Sequence, residues 1–134
     1  MTSIDLSLLQ PVLAKHAPDG RTGLLPALHE AQEIYGYQPE SVSVEIARAL
    51  SVPEADVFGV IEFYALFYSH PVGKTVIHVC NDPSCALAGA DSIFKRMTQK
   101  LEIRIGETPT VTIERTPCLG LCEHAPSILV QGAP

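Results

Sequence analysis

Hydrophobic side chains recur at helical spacing through the first half of the chain, from residue 4 to about residue 68. Apolar residues three or four positions apart form one face of an α-helix. On this pattern we predict four helices, at about residues 8–13, 22–35, 40–50 and 54–64. The first half of the chain is therefore predicted to be helical.

The ends of these helices have recognisable signals. Thr22 is a candidate cap for the second helix, and Gly36 is a left-handed stop at its end. Ser51 and Glu54 have the spacing of a capping box, in which each side chain satisfies a free backbone amide. We therefore expect Ser51 to begin the fourth helix.

Four aromatic residues end the helical region: Phe63, Tyr64, Phe67 and Tyr68. Such clusters usually pack in a core, so we expect burial for most of them, with part of the cluster left as a docking patch. The Pro-Val-Gly segment at residues 71–73 then marks a break. This predicts two domains, residues 1–70 and 71–134.

The second half alternates strands with one helix. Segments rich in β-branched residues predict strands at 75–79, 110–116 and 127–130, and residues 86–101 have the apolar stripe of a helix. A strand–helix–strand unit of this length forms a right-handed parallel crossover. The fold class expected from both halves is α+β.

The only four cysteines form two close pairs, Cys80-x4-Cys85 and Cys118-x3-Cys122. Paired thiolates select iron–sulfur clusters, zinc or Cu(I). Structural zinc prefers tight C-x2-C knuckles around one ion, whereas these looser loops suit two irons, one bound by each pair. The leading interpretation is a [2Fe–2S] cluster, with a zinc-stabilised interaction module as the alternative. A thioredoxin-type dithiol oxidoreductase is a weaker third interpretation, because C-x-x-C is absent.

The predicted crossover brings the two pairs together. Cys80 ends the first strand and Cys118 follows the second, and parallel strands end at the same edge of a sheet. We expect Cys85 to lie just before the next helix, where free amides can donate to cluster sulfur. Gly120 allows close backbone approach. Leu119 and Leu121 are expected to shield the cluster from water.

Charge and composition disfavour several classes of function. The net charge is −6 with 9 basic and 15 acidic residues, which disfavours nucleic acid as a partner. The chain lacks both an apolar run of the ~18 residues that a membrane span needs and a secretory signal. We therefore expect a cytoplasmic protein, where disulfides are rare. No Gly-x-Gly phosphate loop occurs, so an organic redox substrate would bind to another subunit.

Several segments resemble a known family. They are LLPALH at residues 24–29, GVIEFYALF at 59–67, PVG at 71–73, CNDPSC at 80–85 and CLGLC at 118–122 followed by Ala125-Pro126. With them the chain resembles the thioredoxin-like [2Fe–2S] subunits of NADH:quinone oxidoreductase (complex I). Related subunits occur in NAD-dependent formate dehydrogenases and NAD-linked hydrogenases.

The resemblance implies an N-terminal helical bundle followed by a thioredoxin-like domain. It implies that Cys80, Cys85, Cys118 and Cys122 ligate a [2Fe–2S] cluster beside a flavoprotein partner that binds FMN and oxidises NADH. Such an electron-transfer subunit is part of an enzyme complex at the cytoplasmic face of a membrane, without inserting into it. Family members usually continue with another strand and a closing helix, which we expect this domain to lack.

Overall fold

A computed structural model of the protein describes residues 4–101 and 110–132. The chain forms two compact units, Met1–Pro71 and Val72–Pro134. The described residues include no helix that is long and apolar enough to cross a membrane.

The first unit is helical, as predicted. Four α-helices follow one another, and short 3-10 helices at Leu6–Leu9 and Ala17–Gly23 precede and follow the first of them. The α-helices are α1 (Gln10–His16), α2 (Leu24–Tyr35), α3 (Glu40–Leu50) and α4 (Glu54–Phe63). These helical segments contribute buried apolar side chains to one core, among them Leu9, Leu28, Ile46 and Val57, all with no exposed surface.

Some predicted helix ends are confirmed and others are wrong. Gly36 ends α2 in the left-handed conformation with φ of 79°, as expected. Thr22 does not cap α2; its hydroxyl donates to the Asp19 carbonyl, and Gly23 occupies the cap position.

The predicted capping box is also wrong. Ser51 is left-handed (φ 54°, ψ 42°) and terminates α3, while Pro53 precedes α4 with no side-chain cap. The amides of Ser51 and Val52 donate to the Arg48 and Ala47 carbonyls, which is the Schellman pattern of a helix C-terminus. The chain needs this left-handed residue to end one helix before the next, so Ser51 cannot also cap α4.

The aromatic cluster after α4 is split between interior and surface. Tyr68 is buried and Phe67 is half-buried, but Phe63 is 80% exposed and Tyr64 44% exposed. Tyr64 contacts both Phe63 and Phe67 edge to face, with ring centroids 5.1 and 6.1 Å apart. The expectation that most of the cluster is core therefore holds only for its C-terminal half.

The second unit contains the predicted strands. β1 (Thr75–Cys80) lies between β2 (Val111–Thr116), which is parallel to it, and β3 (Ile128–Gly132), which is antiparallel. The parallel crossover is thus confirmed. Ile77 and Val79 of β1 form the core of this unit with Cys80, Cys85 and Ala90.

The single helix predicted over residues 86–101 is two helices. α5 covers Pro83–Leu87 and α6 covers Ala90–Lys100. They separate at Gly89, whose φ of 98° is a left-handed conformation that glycine adopts without steric cost. The break lets α6 pack Phe94 and Met97 against the core independently of the direction of α5.

Candidate metal centre

Cys80 is the last residue of β1 and is buried. Its Cα lies opposite Thr116, the last residue of β2. Its amide donates to the Ser127 carbonyl over 3.2 Å, and the next amide, of Asn81, donates to the Thr116 carbonyl over 3.0 Å. The backbone at the end of β1 is therefore held on both sides, which fixes the main chain from which the Cys80 side chain extends.

Cys85 lies inside α5 rather than before it, so the expected position at a helix start is wrong. Pro83 begins this five-residue helix, and the proline fits its first turn. The Ala86 amide donates to the Asp82 carbonyl over 2.9 Å. The short helix turns Cys85 inward, where its side chain has no exposed surface and joins the core with Cys80.

Ser127 contacts the Cys85 sulfur. Its hydroxyl oxygen lies 3.3 Å from Cys85 Sγ, and the serine is itself buried. This hydroxyl is the largest cause lowering the pKa of the Cys85 thiol below its ordinary value, followed by the Ser127 amide, and together they outweigh the effect of burial. The Cys80 thiol lowers that pKa further through a hydrogen bond.

Ser127 was not among the site residues predicted from sequence. The position of Ser127 follows from the direction of β3. Because β3 is antiparallel to β1, the residue just before β3 lies beside the carboxyl end of β1. That argument requires the strand direction of β3, which the sequence pattern alone does not give.

Cys118 and Cys122 form an exposed pair on the loop after β2. Their sulfurs are 3.4 Å apart, and the Gly120 amide donates to Cys118 Sγ over 3.3 Å. Gly120 has a φ of 75°, so this turn requires glycine for its backbone conformation. The loop thereby brings two thiols to within reach of one metal ion.

The two pairs lie at the same end of the sheet, because Cys80 is opposite Thr116 and Cys118 follows two residues later. The pKa of Cys122 is raised, first by its hydrogen bond with Cys118, then by the negative charge of Cys118 and by burial. The charges of Cys85 and Cys80 raise it further. A thiol such as Cys122, with three other cysteines as its neighbours, needs a positive partner to be ionised together with them.

The donor set fits a cluster with two irons. Two thiolates bound tetrahedrally at about 2.3 Å from one ion are about 3.8 Å apart, close to the 3.4 Å between Cys118 and Cys122. In residues 4–101 and 110–132 there is no group of three or more His, Cys, Asp or Glu side chains arranged to hold one metal ion. The thiols form two pairs, of which Cys80 and Cys85 are buried and Cys118 and Cys122 are exposed.

Other residues near the four cysteines in the sequence differ in their placement. His78 is fully buried two residues before Cys80, and burial lowers its pKa. His124 lies on the surface beside Glu123, with 3.6 Å between the ring nitrogen and the carboxylate. Leu119 is half-buried against the core that contains Cys80 and Cys85, whereas Leu121 is 47% exposed.

Known proteins with similar sequences are subunits of oxidoreductase complexes. The chain is 36% identical over 120 residues to an NADH-quinone oxidoreductase subunit of Rhizobium meliloti, covering 87% of this chain and 71% of the relative. It is 37% identical to NADH-quinone oxidoreductase subunit 2 of Thermus thermophilus, with coverages of 94% and 72%. It is also 37% identical to the NADP-reducing hydrogenase subunit HndA of Solidesulfovibrio fructosivorans, with coverages of 84% and 68%.

A solved structure and a protein-family description also match the chain, and both are consistent with these relatives. A chain of the NAD+-reducing [NiFe]-hydrogenase in the H2-reduced state superimposes with a TM-score of 0.63 at 25% identity. The match covers 81% of this chain but only 18% of that one. Residues 9–133 match the family described as thioredoxin-like [2Fe-2S] ferredoxin. With its two thiol pairs at the sheet edge, the chain belongs to the thioredoxin-like [2Fe-2S] ferredoxin family.

Proposed function

We propose that this protein is the electron-transfer subunit of an NADH:quinone oxidoreductase-type complex. Its [2Fe–2S] cluster would exchange single electrons with the FMN of a partner subunit that oxidises NADH. The observation that carries the proposal is the convergence of two thiol pairs at one end of the second unit. The NADH-quinone oxidoreductase subunits among its relatives support this parent complex.

We assign Cys80 and Cys85 to one iron and Cys118 and Cys122 to the other. The bound cluster supplies a site that takes up and releases one electron at a time. The protein supplies the rest: buried Cys80 and Cys85 hold one side away from water, and exposed Cys118 and Cys122 present the other side to the surface. That exposed side is where a redox partner can come close.

The proposal also assigns separate roles to the two domains. Residues 71–134 would bind the cluster, and residues 1–70 would form the helical domain that precedes it. The division into the compact units Met1–Pro71 and Val72–Pro134 supports this boundary. Cysteines that ligate a cluster are thiolates and disulfides are rare in the cytoplasm, so we place the complex on the cytoplasmic side.

A Cys122→Ser variant tests the ligand assignment. Serine replaces thiolate by a harder oxygen ligand, so the EPR signal of the reduced cluster should shift or disappear, with a loss of bound iron. Glu123→Ser is the matched control, because it places the same residue at the exposed neighbouring position. An unchanged EPR spectrum in Cys122→Ser would show that Cys122 is not a ligand.

A hydrogenase is the second candidate for the parent complex. It is favoured by the similarity to the NADP-reducing hydrogenase subunit HndA and by the superposition on NAD+-reducing [NiFe]-hydrogenase. Affinity purification of the tagged native protein distinguishes the two complexes. A flavoprotein with quinone-reducing membrane subunits supports the first, and a flavoprotein with a nickel–iron subunit supports the second. A colourless protein that contains zinc would refute both.

A further inference from the structure

Ser127 lies against Cys80 and Cys85, the buried half of the centre, as its burial and two hydrogen bonds show. The residue is only 6% exposed, and its hydroxyl oxygen lies 3.3 Å from the Sγ of Cys85, which is fully buried. Its carbonyl accepts the amide of Cys80, the other cysteine of the same pair, over 3.2 Å. The backbone and the side chain of one serine thus contact both cysteines that we assign to one iron.

The direction of the hydrogen bond follows from the chemistry of the ligand. A thiol and a hydroxyl can each donate, but a thiolate bound to iron has no proton and can only accept. In the loaded protein the Ser127 hydroxyl is therefore the donor. A hydrogen bond to an ionised acceptor is stronger than one between neutral groups, and water does not compete for it at this buried position.

We propose that the O–H···S hydrogen bond from Ser127 to Cys85 raises the reduction potential of the cluster. This inference rests on the proposed function, since it takes Cys85 to be an iron ligand. Reduction adds one electron and no proton, so the cluster and its four thiolates become more negative by one charge. A donor that points at a ligand sulfur stabilises the more negative state more than the oxidised one.

The exposed half of the centre has a different donor. Cys118 Sγ accepts from the backbone amide of Gly120, which no side-chain substitution removes. Ser127 is a side-chain donor, so sequence changes at this one position can adjust the potential while the four cysteines stay the same. Ser127 therefore adjusts the reduction potential of the cluster through Cys85 and does not itself bind iron.

Four variants of the full chain test this proposal. Ser127→Ala removes the hydroxyl. Ser127→Thr and Ser127→Val form a matched pair, because their side chains have nearly the same shape and only threonine keeps the hydroxyl. Ser43→Ala removes a hydroxyl that is also buried but donates to the Pro39 carbonyl in the first unit. The midpoint potential is measured by dithionite titration followed by EPR, after iron and sulfide have been determined.

The expected result is a more negative midpoint in Ser127→Ala and Ser127→Val, with Ser127→Thr and Ser43→Ala close to the unmodified protein. Equal midpoints for the Thr and Val variants would overturn the proposal, because the shift would then follow volume and not hydrogen bonding. Loss of the cluster from the Ala and Val variants would also overturn it, since the hydroxyl would then be needed for assembly. Failure of the ligand assignment is recognised separately with Cys85→Ser, which would then keep the iron content and EPR spectrum of the unmodified protein.

Discussion

Gly23 allows the polypeptide to approach itself closely at the start of α2. A β-carbon at this position would lie 2.7 Å from the His16 carbonyl oxygen and 3.2 Å from the His16 β-carbon. The first of these neighbours is backbone, so it cannot rotate away from an added methyl group. The local packing around buried His16 therefore depends on glycine.

Gly23→Ala is expected to lower the free energy of unfolding of the first unit by about 1–3 kcal/mol, the usual cost of overpacking. Gly59→Ala is the matched control. Gly59 is in the interior of α4 with nothing within 4 Å of an added β-carbon, so alanine there should stabilise by about 0.5–1 kcal/mol. Urea unfolding followed by circular dichroism measures both. If Gly23→Ala and Gly59→Ala changed the free energy of unfolding in the same direction, the steric explanation would be contradicted.

The prediction that Ser51 begins α4 is wrong because of the backbone conformation that the end of α3 requires. Its spacing to Glu54 fits a capping box, but the backbone needs a left-handed residue where α3 ends. Serine is strained there by about 1 kcal/mol because of its β-carbon. Ser51→Gly should relieve this strain and raise the midpoint of unfolding. Ser41→Gly, in the first turn of α3, should instead lower it, and a Ser51→Gly variant no more stable than the original protein would refute the explanation.

The strands and the crossover could be predicted from the sequence because they depend on local patterns. Runs of β-branched residues specify β1 and β2, and the parallel direction of these strands places Cys80 opposite Thr116. The break at Gly89 could not be predicted, since the apolar stripe continues across it and only packing requires two helices. Ser127 was missed for a related reason, because its contact with Cys85 joins residues 42 positions apart through the orientation of β3.

Glu30 links α2 to α1. Its carboxylate accepts hydrogen bonds from Lys15 and, over 3.0 Å, from His16. These two hydrogen bonds hold the pKa of the Glu30 carboxyl below its ordinary value, and the bond from Lys15 has the larger effect. A carboxyl group whose pKa is lower in the folded state stabilises the fold above its unfolded pKa, and this stabilisation is lost as the pH falls through the folded pKa.

Glu30→Gln should therefore destabilise the first unit at neutral pH, and the difference from the unmodified protein should shrink in acid as Glu30 itself becomes protonated. Glu62→Gln, at an exposed position of α4, is the control and should have little effect at either pH. Thermal unfolding at pH 7 and in the range where carboxyl groups titrate measures both. A difference that does not change with pH would assign the effect of Glu30 to packing.

The two units differ in how much apolar core supports them. In the described residues, the first unit has 14 buried apolar core residues, whereas the core of the second has five. Two of those five are Cys80 and Cys85. A unit with so small a core usually needs a metal, a disulfide or a partner for stability. The second unit is therefore expected to depend on its cluster in a way that the first does not.

Removal of the cluster should loosen the second unit and leave the first intact. Metal binding energy becomes folding energy when the ligands meet only in the folded state, as the proposed assignment requires of Cys85 and Cys122. Hydrogen exchange of the full chain, with and without iron, measures this at individual amides. Protection should fall by at least tenfold at Ile77 and Val79 in β1 and remain unchanged at Leu28 and Ile46 in α2 and α3. Equal protection of β1 in both forms would show that the strands hold the four cysteines in place without the cluster, and an equal loss in both units would show that they unfold together.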